Sequence, residues 1–191
     1  MRLDHPRIEP LSREHWDEDV LHIVDPNGDR DDADIFNIFK TLAHYPKLMK
    51  RWTVFANHVL MKSSLSPRDR EIAILRIGWL CRSEYEWTQH VRIGKNEAKM
   101  TDEDIAAVAE GPTSEHWNDI ESALVLAVDE LHRDAMISDD TWQKLGSAYN
   151  RKQMMDLVAA VGGYTLVSMM LNSFGVQLDD SLEPYEGFPQ E

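Results

Sequence analysis

Apolar residues recur at three- and four-residue spacings along most of this chain, and nowhere do they alternate strictly with polar ones over the length of a strand. The pattern predicts an all-α fold. Ser12 opens a helix running to about Val24, which the polar loop Pro26-Asn27-Gly28-Asp29 ends. Ile35 to His44 is a short apolar helix stopped before Pro46. That proline suits a first helical position, and Leu48, Trp52, Phe55 and Val59 then form an amphipathic stripe. Ser66-Pro67 caps and starts a helix continued by Ile72, Leu75, Trp79 and Leu80. Thr101 caps a short helix closed by Gly111-Pro112, and Ile120, Ala123, Leu124, Ala127, Val128 and Leu131 share one face of the next. Ser138 starts another, and Asn150 with Gln153 offers a capping box for the last long helix.

The organisation expected from this pattern is an acidic N-terminal extension (1–34), one helical bundle domain (35–176) and an acidic, proline-containing tail (177–191) that lies across a neighbouring surface or is mobile. At 191 residues and 42% hydrophobic content, one domain with a real core is the default. Leu157 to Leu171, weakly polar and 15 residues long, falls short of the roughly 20 needed to span a bilayer and reads as a buried helix. The start has no apolar run of a secretory leader, so the cytoplasm is the expected location. A net charge of −14 argues against nucleic acid and anionic membrane surfaces as partners. Between Lys62 and Lys95, however, seven basic residues face four acids, a local excess that points to a small anionic molecule.

The stretch carrying candidate chemistry runs from Arg70 to His90. Glu71 and His90 are 19 positions apart, about 28 Å along one unbroken helix. A break near Cys81 to Ser83 removes that separation: Ser83 with Glu86 reads as the capping box of a new helix, so the chain doubles back as a helical hairpin. Glu86 and His90, at i and i+4, then share a face. Two carboxylates and an imidazole between packed helices supply a proton donor, an acceptor and an orienting group. Blander roles compete for each: Glu71 complementing a helix dipole, Glu86 capping only, His90 a satisfied core histidine, Cys81 a small buried side chain, and Tyr85, Trp79 and Trp87 core or subunit contacts. A metal site using Glu71, Glu86, His90 and His58 lacks any paired-histidine motif, and none is expected.

Taken together, Arg70 to His90 and the later Tyr164 to Val176 segment resemble the carboxymuconolactone decarboxylase and alkylhydroperoxidase D-like superfamily, over roughly Phe36 to Val176. In the peroxidase branch a glutamate, a C-x-x-C pair and a histidine four residues later form the motif. Glu71 and His90 match its ends, whereas Ser83 and Glu86 stand at the two cysteine positions. Neither can exchange thiols, and the single Cys81 has no partner, which disfavours a dithiol peroxidase. The resemblance then implies a decarboxylase-like enzyme without cofactor, acting on a small unsaturated acid or lactone, and the same three groups would equally serve a related isomerase or hydrolase. His90 would donate the proton, with Glu86 relaying and Glu71 as second carboxylate; Arg76, Arg82, Tyr85 and Cys81 are candidate substrate contacts. It also implies a homo-oligomer, trimer or hexamer. A peroxidase and a non-catalytic scaffold are the alternatives.

Overall fold

A computed structural model describes residues 3–189. Among them are nine α-helices and no strand: α1 (Glu18–Val24), α2 (Asn37–Leu42), α3 (Pro46–Met61), α4 (Pro67–Leu80), α5 (Glu84–Asn96), α6 (Asp102–Glu110), α7 (Asp119–Asp134), α8 (Asp139–Gly146) and α9 (Arg151–Phe174). The caps explain most of the boundaries. Ser66, Thr101, Ser138 and Asn150 each accept a backbone N–H of the first turn, and Thr101/Asp104 and Asn150/Gln153 close full capping boxes. The predicted helix from Ser12 is interrupted. Ser12 makes no side-chain cap, a single 3-10 turn covers Arg13–His15, and Asp17 caps α1 instead.

Helix α4 is the hub, packed by α5, α6, α7 and α9. Every residue from Arg70 to Gly78 is buried, the mark of a helix with no solvent face. Its apolar side chains join those of α7 and α9 in the main core, with Ile72, Ile74, Leu75, Leu124 and Leu157 fully enclosed. A second apolar cluster joins the N-terminal extension to the bundle: Trp16, Val20 and Val24 pack with Met49, Met170 and Leu171. The extension is therefore part of the packed body. Gly175, at φ 71°, turns the chain out of α9 where the His5 to Arg7 backbone lies so close that a Cβ would stand 2.9 Å from the His5 carbonyl oxygen.

The C-terminal segment also packs against its own chain. Phe188 is buried between Trp79 and Trp87, Tyr185 meets the edge of Trp87, and Asp179 is 7% exposed. Helix α9 runs 24 residues, longer than the apolar stretch read from sequence, and passes the length and composition of a membrane span. Half of that window is buried in the bundle, where α9 packs on α3, α4, α5, α7 and α8.

Candidate active site

The chain reverses between α4 and α5 by a Schellman turn. The Ser83 N–H donates to the Gly78 carbonyl (2.9 Å) and the Arg82 N–H to that of Trp79 (2.9 Å), with Arg82 at φ 51° in the left-handed position that glycine usually fills. The expected hairpin is there, but the expected capping box is not. Ser83 makes no side-chain cap, and the reciprocal bond is missing too: the Ser83 N–H goes to Gly78, and the Glu86 carboxylate reaches along its own helix to His90.

Reversal brings the three predicted residues together. His90 Nδ1 lies 2.6 Å from Glu71 Oε2, and Nε2 lies 3.0 Å from Glu86 Oε1. Arg70 donates from Nε to the other Glu71 oxygen (2.9 Å) and from Nη1 to the Leu60 carbonyl (2.8 Å). Tyr164 of α9 meets the imidazole edge-on at 4.9 Å between ring centres. Glu71, His90 and Glu86 are all buried. Burial alone lowers the histidine pKa, but the adjoining Glu71 and then Glu86 outweigh it and push the value up to about 10. Burial likewise works to raise that of Glu71, and His90 with Arg70 reverse it to a net lowering. The resting arrangement is thus an imidazolium with an N–H directed at each of two carboxylates, within a set (Arg70, Glu71, His90, Glu86) whose formal charges sum to zero.

His90 and Glu86 face a cavity of about 260 Å³, while Glu71 sits behind the imidazole, outside the lining. Its walls come from α2 with the residue before it (Phe36, Phe39), α3 (Trp52, Phe55), α5 (Tyr85, Gln89) and α9 (Tyr164). They are overwhelmingly apolar, and no lysine or arginine is among them. Tyr85 lines the cavity, but its hydroxyl donates to Asp179 Oδ2 (2.7 Å), so the ring rather than the O–H faces the space. Among the described residues no group of three His, Cys, Asp or Glu side chains is arranged to hold a metal, and His58 is paired with Asp156 (3.0 Å).

Three predicted substrate contacts lie elsewhere. Arg76 is spent on a bidentate pair with Asp129 (2.6 and 2.8 Å) and on the carbonyls of Val108 and Ala109, which is the structural alternative rather than a carboxylate clamp. Arg82 is exposed on the turn, outside the cavity lining. Cys81 is also outside that lining; its Sγ is 4.0 Å from His132 Nδ1, and burial raises its pKa, the reverse of thiol activation. The local basic excess dissolves in the same way: Arg68 binds Asp104 and Glu121, Arg70 binds Glu71, and Lys95 binds Asp102. Sequence reasoning missed the walls from α2 and α3, Gln89, and Asp179. Only the α3 stripe carried a signal, and Trp52 and Phe55 of that stripe face the cavity.

Residues 46–130, which include the whole hairpin, match the carboxymuconolactone decarboxylase family. The match spans helices α3 to α6 and most of α7. Solved structures of the alkylhydroperoxidase D-like type share the family fold beyond those residues. A peroxidase-related protein from Ralstonia eutropha JMP134 with an alkylhydroperoxidase AhpD core is 18% identical, covering 92% of this chain and 94% of that one at a TM-score of 0.75. The debrominase Bmp8, solved in complex with 2,3,4-tribromopyrrole, is 14% identical, with 93% and 94% covered and a TM-score of 0.74. A peroxidase-related protein from Silicibacter sp. TM1040 is 13% identical, with 98% and 93% covered and a TM-score of 0.68. These identities establish a shared fold. No curated protein matches the chain by sequence. Ser83 and Glu86, the residues that the resemblance sets against the two cysteines of the peroxidase branch, both lie within the matched region.

Proposed function

We propose that this protein is an enzyme that transfers a proton to carbon on a small unsaturated ring substrate, without a cofactor, and that loss of carbon dioxide is the reaction this step completes. The observation that carries the reading is the Glu71–His90–Glu86 set, buried together with Arg70 as a charge-neutral unit, with His90 and Glu86 facing an otherwise apolar cavity. When a carboxylate leaves as CO2, its C–C bonding pair enters a conjugated carbonyl of the substrate. The resulting enolate carbon then takes a proton from His90 Nε2, directly or through Glu86, and solvent restores it. Glu71 acts through the imidazole: it holds the ring and keeps it charged, and is a positioning residue.

An anionic substrate clamped by arginine has lost its support, since Arg76 and Arg82 are not at the cavity. Recognition by shape and apolar contact fits the walls. A carboxylate placed against such walls sits in a poor environment for localised charge, which favours its loss. The small aromatic ring held by Bmp8 in the same fold supports a planar ring as occupant. A dithiol peroxidase has no thiol at the cavity to use. A homo-oligomer, implied by the family resemblance, remains part of this proposal, as does a cytoplasmic location.

The test is turnover of a panel of unsaturated lactones and ring carboxylic acids, followed by absorbance and CO2 release. His90→Gln and Glu86→Gln should each cut kcat by about 10²- to 10⁴-fold with folding intact. Unchanged turnover in His90→Gln, or hydroperoxide reduction abolished by Cys81→Ser, would sink the proposal.

A further inference from the structure

The buried carboxylate of Asp179 belongs to the segment after α9, far in sequence from the α4–α5 hairpin, and its bonds converge on the cavity walls. Oδ2 accepts from Tyr85 Oη at 2.7 Å and from Gln89 Nε2 at 2.5 Å; Oδ1 accepts the Asn37 backbone N–H at 2.6 Å. The Asn37 side chain closes the contact by donating to the carbonyls of Gln177 and Leu178, both at 3.2 Å. One carboxylate therefore ties together the start of α2, two turns of α5 and the C-terminal segment.

Its partners are neighbours of the chemistry. Tyr85 and Gln89 line the cavity, and each immediately precedes one of the two cavity-facing reactive residues, Glu86 and His90. Asn37 lies between Phe36 and Ile38, which also line the cavity. Gln89 is held at both ends, since its Oε1 accepts from Arg92 Nη2 at 2.8 Å, and its amide cannot flip without breaking that bond. Without Asp179 the phenol and the amide would need new partners, and the space open to them is the cavity.

We infer that Asp179 is a positioning residue that sets the shape of the substrate cavity by fixing Tyr85, Gln89 and the start of α2. The inference deepens the proposed reading of this cavity and rests on it for its kinetic readout. Asp179→Asn is the informative change: it keeps size and shape but sets an NH2 against two donors. The variant should melt close to the wild type, keep kcat within about twofold, and raise KM about tenfold, the scale of one charge-assisted hydrogen bond. A role confined to folding would instead lower the active fraction and leave KM alone.

A second readout needs no substrate. Burial and the Asp179 charge both hold the Tyr85 phenol well above its ordinary pKa, and of the groups around it only burial, the Ile38 backbone and Gln89 remain in the variant. Its absorbance titration, assigned by difference from Tyr85→Phe, should therefore begin at lower pH in Asp179→Asn, and a crystal structure should show Tyr85 and Gln89 turned toward the cavity. Wild-type turnover with an unchanged KM in the variant overturns the inference. If the wild type turns over nothing on the panel, the proposed function fails, and the structure of the variant then decides: displaced side chains support the role of Asp179, unmoved ones overturn it. Should Asp179→Asn not fold, Tyr85→Phe, which removes one of the three bonds, should raise KM about threefold, and no rise there overturns the inference equally.

Discussion

His90 is a histidine whose state is decided by its neighbours. With its pKa pushed up to about 10, the imidazolium persists through neutrality and loses its proton only as pH rises through that value. A reaction needing the proton on His90 should therefore show kcat/KM flat across neutral pH with a limb falling near pH 10; a limb rising there would make His90 a base. Glu71→Gln removes the largest of the raising influences, so the limb should move to lower pH. The same shift stabilises the folded protein below the unfolded histidine pKa of about 6.5, and that contribution is lost as pH rises through about 10. Arg76 illustrates the opposite case, a buried cation whose function is structural. Arg76→Met should cost about 3 kcal/mol in denaturant unfolding, because Asp129 and two carbonyls lose their partner, while KM stays where it was. The contact between Glu71 and His90 was legible because both residues share a motif and a hairpin. The partner of Arg76 was not, since Asp129 lies 53 positions away on another helix.

At the scale of elements, the α4–α5 turn makes the site possible and is built imperfectly. Arg82 occupies a left-handed position where a Cβ is unfavourable by about 1 kcal/mol, so Arg82→Gly should raise the melting temperature by a few degrees. Turnover should not change, which also tests whether Arg82 touches substrate. Helix α3 contributes one wall of the cavity, and it meets α9 where the Phe55 ring lies against the backbone of Gly163. A Cβ on residue 163 would stand 2.8 Å from that ring. Gly163→Ala should therefore push Phe55 off its seat and change the relative kcat/KM for small and large rings on the panel, and adding Phe55→Ala should undo the effect. The break after Leu80 could be read from sequence, whereas the failure of the Ser83–Glu86 box could not, because the preference of Glu86 for His90 depends on a histidine already held from behind by Glu71.

For the whole molecule, the segments at either end of the central bundle are parts of one packed body. The 3–24 region covers α3 and α9 through Trp16, Val20 and Val24, and the C-terminal segment places Phe188 on two tryptophans and Asp179 beside the cavity. Removing residues 180–191 should expose Trp79 and Trp87 and cost about 3 kcal/mol, read as a melting shift of several degrees. The apolar α9 is long enough for a bilayer, yet its buried half is the floor of the core and of the cavity.

Local rules within the sequence were sufficient for the helical class, most helix ends, the reversal after Leu80 and the Glu71–Glu86–His90 set. Each depends on interactions within a few residues or on one tight turn, and such terms are readable from spacing and cap chemistry. The tertiary structure alone decided which charges are spent and which remain, what the cavity is lined with, and that Asp179 governs its walls. Those outcomes depend on contacts between residues 30 to 140 positions apart, where burial and the nearest available partner, not the local pattern, set the energy of a side chain.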